Sequence, residues 1–506
     1  MLTTSEAFIG CLVVFLVYRA AIVVYRLFLH PLASFPGPKL AACSTLYRAY
    51  YQVIRDGDHV MEATRLHERY GPVVRVAPNT LHFRDPKAFD DIFKFTSNFT
   101  KDPDFYDHLG QSEALFGMPD EEAHKERFKT VADLFSKRFA QLFETNIAAN
   151  VDPPATYTHM SRKANGPINI ARGLRAVALD IIQDFVFDFV PDDLRGMKDE
   201  EFDTLFVDTT WDVMDWTAWC FRNFPFALTL SEYLPLSWKR VILPGEAANV
   251  ESFNVIMKLV EDNVKAGPKW RRDSMISRMA GKFTLSNLTS ECMGTMFGGV
   301  INLANMLPFG AFCVCSDMEL QERLYEELKS VWEDPNEPIP PYSTLFELPV
   351  LRGVVKESLR LMHGIIIGPP RVVPEGGAIV NGYKIPAKAV VTTSSLYVHT
   401  NPEVFPNPDE FRPERWAKSS DLLKMEKSLV PFSKGRRMCP GREISYMELM
   451  IVFAALFRRF KLRPYETTKE DFKWKVYVSL HFTGRFFHAN LEPRPDWPAI
   501  MKNSST

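Results

Sequence analysis

The stretch Phe432-Ser433-Lys434-Gly435-Arg436-Arg437-Met438-Cys439-Pro440-Gly441 runs directly into a long apolar segment that reads as a helix from about Arg442. Few folds need such a loop. Gly435 and Gly441 let the backbone turn tightly and come close to something flat. Cys439 stands just before a helix N-terminus, where amide N–H groups and the helix dipole favour a thiolate. A thiolate kept anionic by N–H donors is what an axial iron ligand requires. Arg437 is placed to pair with a carboxylate. A cysteine alone in a turn would be read as a buried structural residue, so the residues that accompany it decide.

The rest of the chain supplies the material for a large core. Of 506 residues, 46% are hydrophobic and 13% aromatic, which excludes a disordered or collagenous chain. Sixty basic residues balance 62 acidic ones for a net charge of −2, so no nucleic-acid footprint is expected. Seven scattered cysteines, an odd number, make no disulfide scaffold and fit a reducing cytosol. Ala7 to Tyr25 is apolar except for Arg19. As helix it rises roughly 28 Å, close to one hydrocarbon thickness. Arg19 lies near one end, from which it can snorkel to the headgroups. Arg19, Arg26, His30, Lys39 and Arg48 follow the start of the run and nothing basic precedes it, which places the bulk of the chain in the cytosol. Without a basic start or a small-residue cleavage site, a membrane anchor is expected rather than a cleaved signal. Phe35-Pro36-Gly37-Pro38 then forms a stiff break. The expected division is an anchor over residues 1–30, a Pro-rich hinge over 31–40 and one domain over 41–506.

Period-3.6 spacing or strong helix formers predict helices over Val60–Tyr70, Glu121–Phe143, Ala171–Val190, Ser252–Val264, Leu285–Val314, Met318–Trp332, Leu345–Met362 and Arg442–Phe460. Strands are expected at Val73–Val76, Thr80–Phe83, Ala378–Val380 and Val390–Ser394. The fold class is therefore mainly α with a small β-sheet, preceded by one N-terminal transmembrane helix.

The cysteine loop has the spacing F-x-x-G-x-R-x-C-x-G and so resembles the haem-binding signature of the cytochrome P450 family. Its companions stand in the family's order. Glu357-Ser358-Leu359-Arg360 reads as E-x-x-R, and positions i and i+3 share a helix face. Phe411-Arg412-Pro413-Glu414-Arg415-Trp416 is similar to the later P-E-R motif. The resemblance implies a cytochrome P450 fold in which Cys439 ligates the iron of haem b, Phe432 and Gly435 shape its loop, and Arg437 joins the cofactor site. It also implies that Arg415 completes a buried ion triad with Glu357 and Arg360. Pro370-Arg371-Val372-Val373-Pro374 resembles the strand whose Arg meets one haem propionate. His124 stands where a Trp or His often faces the other, although Phe128 takes the place of the usual basic partner, leaving Arg127 and Lys129 as neighbouring candidates.

The distal helix departs from the family pattern A-G-x-D/E-T, whose acid and alcohol relay protons. One register aligns Gly298-Gly299-Val300-Ile301-Asn302, which puts Ile301 and Asn302 at those two positions. Another aligns Ala304-Asn305-Met306-Leu307-Pro308. In either register Asn302 or Asn305 replaces the proton-relay group, and an amide holds a water without itself shuttling a proton. Two consequences stay open. Ordered water or the substrate's hydroxyl supplies protons to ordinary oxygenation, or the protein is a haem-thiolate isomerase or dehydratase that does not cleave dioxygen. A non-catalytic membrane-bound haem or ligand carrier is a third reading.

The family position puts Leu115-Phe116-Gly117, the distal helix and Gly364-Ile365-Ile366-Ile367-Gly368 around an almost wholly apolar substrate pocket, which favours a lipophilic ligand. The aromatic segment Trp211 to Phe226 reads either as a membrane-dipping surface or as a core layer. Lys424, Lys427, Lys434, Arg436 and Arg442 lie where the family docks an acidic reductase. The resemblance covers essentially the whole chain. It implies a monooxygenase of the endoplasmic-reticulum membrane, with electrons from NADPH through a cytochrome P450 reductase and Cys439 donating electron density through iron. The layout, including Leu32 to Leu40 and His67 to Val76, looks most like fungal enzymes that oxidise terpenoid, polyketide or alkaloid secondary metabolites.

Overall fold

The computed structural model describes residues 4–107, 113–151, 166–197, 202, 206, 216–267, 274–417, 420–484 and 487–497. Helix α1 (Thr4–Val24) has no buried residue and continues as a π-helical turn, Tyr25–Leu29. Thr4–Leu29 is long and apolar enough to cross a membrane. Its base is tied to the body, because Arg26 Nη1 donates to Cys43 O (2.6 Å) and Arg75 Nη1 to Arg26 O (2.8 Å).

The elements that build the site follow in order. They are α2 (His59–Tyr70), β1 (Val73–Ala77), β2 (Thr80–Phe83), β3 (Thr100–Lys101), α3 (Glu121–Lys129), α4 (Lys137–Val151), α5 (Ile170–Val186) and α6 (Trp216–Asn223). Then come α7 (Pro244–Ala266), α8 (Leu285–Ser316), α9 (Met318–Val331), α10 (Pro349–Met362), β4 (Arg371–Val372), β5 (Ala378–Val380), β6 (Tyr383–Ile385) and β7 (Val390–Thr393). The chain closes with α11 (Arg442–Arg459), β8 (Phe460–Tyr465), β9 (Trp474–Val476), β10 (Leu480–Phe482) and β11 (His488–Pro493).

The mainly helical architecture agrees with the sequence pattern, and two expected helices break for local reasons. The stretch from Glu121 divides into α3, a 3₁₀ turn at Ala132–Phe135 and α4. Ser136 is extended and its hydroxyl accepts from Phe139 N (3.1 Å), so it caps a new helix instead of continuing the old one. The stretch from Leu345 divides at Pro349, whose missing N–H suits the first position of α10 while Leu348 before it is extended. Helix α7 begins earlier than expected, again at a proline, Pro244.

Among the described residues the strands form four sheets instead of one. The largest has the order β1-β2-β7-β4-β3, with β2 and β7 parallel and the other pairs antiparallel. In it Lys101 lies directly opposite Arg371, so both side chains leave the same face. β5 pairs with β6, β9 with β10, and β11 with β8.

Helix α8 is the axis of the core. Its 32 residues rise about 48 Å behind a Thr284 cap that accepts from Asn287 N. A Cβ at Gly299 would meet Ile182 of α5, and one at Gly310 would meet Ser358 of α10 and Phe453 of α11. Helix α11 is buried continuously from Met447 to Arg459, as a helix must be when other elements cover it all round. Because α11 starts directly after the cysteine loop, the core fixes where that loop sits.

Candidate functional site

The loop is tied by its own backbone. Ser433 N donates to Val430 O (3.0 Å), Met438 N to Gly435 O (3.2 Å) and Cys439 N to Phe432 O (2.9 Å). Gly435 has φ +75°, and any Cβ there would run into Phe93 O. Phe432 packs against Tyr446 of α11, ring centroids 5.6 Å apart. Cys439 has two properties that seldom coincide. Surrounding protein pushes its thiol up by desolvation, opposed by the Gly441 N–H. Yet the residue keeps an exposed surface. That surface therefore looks into a recess within the protein. Left to itself the thiol there favours its protonated form, and a metal ion bound to the sulfur would displace that proton.

Basic side chains from four separate segments meet beside this recess, the imidazole of His124 among them in its neutral form. Arg437 Nη1 donates to Glu121 Oε1 (2.9 Å) and Nη2 to Met118 O (2.8 Å). Arg371 is buried over the Phe93 ring, and its Nη1 has no hydrogen-bond partner. Lys101, opposite Arg371, donates to Phe116 O. Burial holds its ammonium well below the usual value, and Arg437 and Arg371 push it the same way. Burial, Arg437 and Lys101 hold His124 at about 3. Glu121 is the carboxylate that opposes these charges. Several like charges gathered under low dielectric, one with an orphaned buried N–H, fit a ligand that carries more than one negative charge.

The structure thus brings together three of the residues picked from sequence, Arg437, Arg371 and His124. The doubt over a basic neighbour of His124 also resolves. Phe128 stacks on the His124 ring (5.9 Å, 6°), Arg127 turns to Glu291 (2.8 Å) and Lys129 to Glu126 (2.5 Å). The further cation is Lys101, which sequence reasoning missed. A two-residue strand carries no periodicity, so nothing in the chain announced it.

On α8 the two asparagines separate. Asn305 is buried, and its Nδ2 donates to Leu480 O of β10 (2.7 Å). Asn302 is half-buried, one turn beyond Gly298, where a Cβ would meet nothing within 4 Å. Gly298 and Asn302 therefore share a helix face bordering open space. Nearer the start of α8, the buried Glu291 accepts from Leu115 N (3.0 and 3.1 Å) and from Arg127 Nη1 (2.8 Å). This pins the Leu115-Phe116-Gly117 loop to both α8 and α3.

Behind the loop the ion triad is present. Arg360 donates to Glu357 from Nη2 (2.7 Å) and Nε (3.0 Å), and Arg415 from Nε (2.9 Å). Trp416 Nε1 (2.8 Å) and Arg412 N (3.0 Å) complete the shell of this fully buried carboxylate.

Two surface expectations change. Trp211 lies outside the described residues, whereas Trp219 and Phe221 are core residues and Phe226 is 70% exposed. The aromatic segment thus supplies both a core layer and an outward face. Of the basic residues around the loop, Lys434 pairs with Asp90 (2.5 Å), Arg442 with Glu443 (2.9 Å), Lys424 donates to Glu403 O (2.6 Å) and Arg436 to Ser97 O. A cavity of about 110 Å³ reaches Ile367 and Gly368, which the sequence assigned to the substrate pocket. Its walls also carry Arg48, His59 and Arg222 but no residue of α8 or of Leu115-Phe116-Gly117, so it is not the expected pocket itself.

The comparisons with known proteins agree on one group. The profile of the family described as Cytochrome P450 matches residues 45–481. A conidiogenone synthase of Penicillium rubens is 30% identical over 469 residues, 90% of this chain and 93% of the relative. A cytochrome P450 monooxygenase of Botryotinia fuckeliana is 29% identical over 470 residues, 91% of each chain. A tryptophan 6-hydroxylase of Fusarium equiseti is 28% identical over 475 residues, 90% of this chain and 91% of the relative.

Proposed function

Since the chain belongs to the cytochrome P450 family, we propose that it is a membrane-anchored haem-thiolate monooxygenase that oxidises a lipophilic secondary metabolite. The observation that carries this reading is the exposed Cys439 thiol two residues from Arg437, which Arg371, Lys101 and the neutral imidazole of His124 join from three other segments. The residues fit haem b. Cys439 would ligate the iron, and the cations would hold the two propionates, with the orphaned Arg371 Nη1 gaining an acceptor. When bound, the haem supplies the oxygen activation that no side chain here can supply.

The protein's own residues do the rest. The backbone N–H of Gly441 faces the sulfur and favours its anionic form. Gly298 leaves space beside α8 for a small reactant, and Asn302 holds a water or a substrate hydroxyl at the edge of that space. Asn305 anchors α8 to β10 and takes no part in proton transfer. The proton reaches the site through water or the substrate, since neither Ile301 nor an amide can deliver one. The relatives' names span different substrates, a conidiogenone product and tryptophan among them, so the shared chemistry reaches this chain and the individual substrate does not. Thr4–Leu29 anchors the protein in the endoplasmic reticulum with the catalytic part cytosolic. A diflavin reductase delivers electrons from NADPH across the face that carries Lys427, Lys434 and Arg442.

The reduced holoprotein is expected to give the red-shifted carbon monoxide band of sulfur-bound iron. Cys439→Ser should abolish that band and all NADPH-dependent turnover. A band that survives the substitution refutes the assignment. In a producing strain, loss of the protein should accumulate a precursor lacking one oxygen. Accumulation of an isomer of the product would instead identify an isomerase.

A further inference from the structure

The cavity at Ile367 and Gly368 contains a guanidinium, that of Arg222, without a hydrogen-bond acceptor among the described residues. It is enclosed by the start of α2, the strands β1 and β2, the 103–107 helix and α6. Arg222, on α6, lies over the rings of Phe105 (4.8 Å) and Trp219 (5.6 Å). Its Nε is shielded from solvent and has no hydrogen-bond partner, and among the described residues its guanidinium forms no ion pair. Arg48, beside it, is engaged, donating from Nε to Asn223 Oδ1 (3.1 Å) and lying 4.0 Å from Asp104. Burial, together with Arg222 and Arg48, holds His59 at about 3, so this imidazole is neutral and adds no charge. The carboxylates that face Arg222 are Asp102 and Asp104. Asp104 is 57% exposed and turned to Arg48. Burial raises Asp102, which weakens it as a counter-ion.

A guanidinium set against two neighbouring aromatic rings whose centroids are 6.4 Å apart, with no hydrogen-bond acceptor among the described residues, can take a planar two-oxygen acceptor bidentately. Building on the proposed function, we propose that this cavity is a carboxylate subsite, in which Arg222 binds the acid group of a lipophilic substrate whose apolar body runs past Ile367 towards the haem recess. Phe105 and Trp219 flank the guanidinium from neighbouring sides and leave its Nη end for the carboxylate. An uncharged ester of the same length offers a poorer acceptor, and its methyl group occupies one arm of the fork.

The test uses the full-length holoprotein in nanodiscs, with empty nanodiscs as the reference. Equilibrium dialysis would compare octanoate, decanoate and dodecanoate with their methyl esters. At least one acid should bind tenfold or more tightly than its ester, and Arg222→Leu should erase that preference while leaving ester binding within twofold. Arg222→Lys, which keeps the charge without the fork, should restore only part of it. No preference for the acid at any length, or a preference that survives Arg222→Leu, overturns the subsite. The carbon monoxide band of the same samples separates the two levels. A normal band with no acid preference rejects this inference alone, whereas loss of the sulfur-bound band from the unsubstituted protein rejects the proposed function beneath it.

Discussion

Glu357 is a carboxylate with no water to fall back on. It accepts from two arginines, an indole and a backbone amide at zero exposure, and Arg360 in turn donates to His399 O, Pro408 O and Glu410 O. Removing the charge while keeping the shape strands two guanidinium groups. We expect Glu357→Gln to cost about 3–5 kcal/mol, read as a lower midpoint in denaturant unfolding, with poor haem retention as the visible symptom. A loss under about 1 kcal/mol would mean that the triad is not coupled to folding. Sequence made this residue legible because its motif is local, i to i+3 on one helix. Lys101 was illegible for the opposite reason. It joins Arg371 only through the pairing of two-residue strands 270 positions apart in the chain, and no local pattern encodes such a partner. The sequence also could not show that Arg127 would leave His124 for Glu291, since that choice depends on where α8 lies.

At the scale of elements, α8 shows how one helix separates anchoring from chemistry. Asn305 and Asn302 are three residues apart, yet one bonds across to β10 and the other borders open space beside Gly298. Two registers were open in the sequence because both asparagines sit among apolar neighbours, and only the position of Leu480 distinguishes them. Asn305→Ala leaves a buried carbonyl without its donor and loosens the β9–β10 hairpin. It should cost about 1–3 kcal/mol of stability, seen as a lower Tm. Asn302→Ala touches no such bond and should leave Tm within about 0.5 kcal/mol equivalent. Its effect should instead fall on the yield of oxidised product per NADPH consumed. If Asn302→Ala keeps that yield while Asn305→Ala lowers it at unchanged Tm, the roles are reversed. Element boundaries were legible where periodicity ran on, as in α8 and α11. They failed at Ser136 and Pro349, where one capping side chain or one missing N–H outweighed a continuous apolar pattern.

Over the whole molecule the buried histidines set the response to acid. His67 Nδ1 bonds Gly71 O (2.7 Å), so its Nε2 accepts from His82 Nδ1 (2.8 Å). His399 Nε2 accepts from Val430 N (2.8 Å), so its Nδ1–H faces His363 Nδ1 (3.2 Å). Protonating the accepting ring of either pair sets N–H against N–H in a dry site. Burial accordingly holds His363 and His59 at about 3 and His67 at about 4, with His82 and His399 also far below the ordinary histidine value. The unfolded chain therefore binds more protons than the folded one in this range, and stability rises with pH. This contribution is complete above about 6.5 and is lost as pH falls towards 4 and 3. For His363 the slope is about 1.4 kcal/mol per pH unit within that window. Buried carboxyls act in the other direction. Asp180, raised to about 6, and Glu448, Asp102, Glu291 and Glu327, each raised by burial, release protons on unfolding and favour the folded state in acid. His30 and His124 are lowered as well, so seven histidines stand against these five carboxyls, and the histidine sign should prevail between pH 7 and 5. Differential scanning calorimetry should show Tm falling steadily across that interval, and His363→Gln should make the fall shallower. A Tm that holds or rises on acidification would mean that the histidine pairs are already open to solvent in the native state.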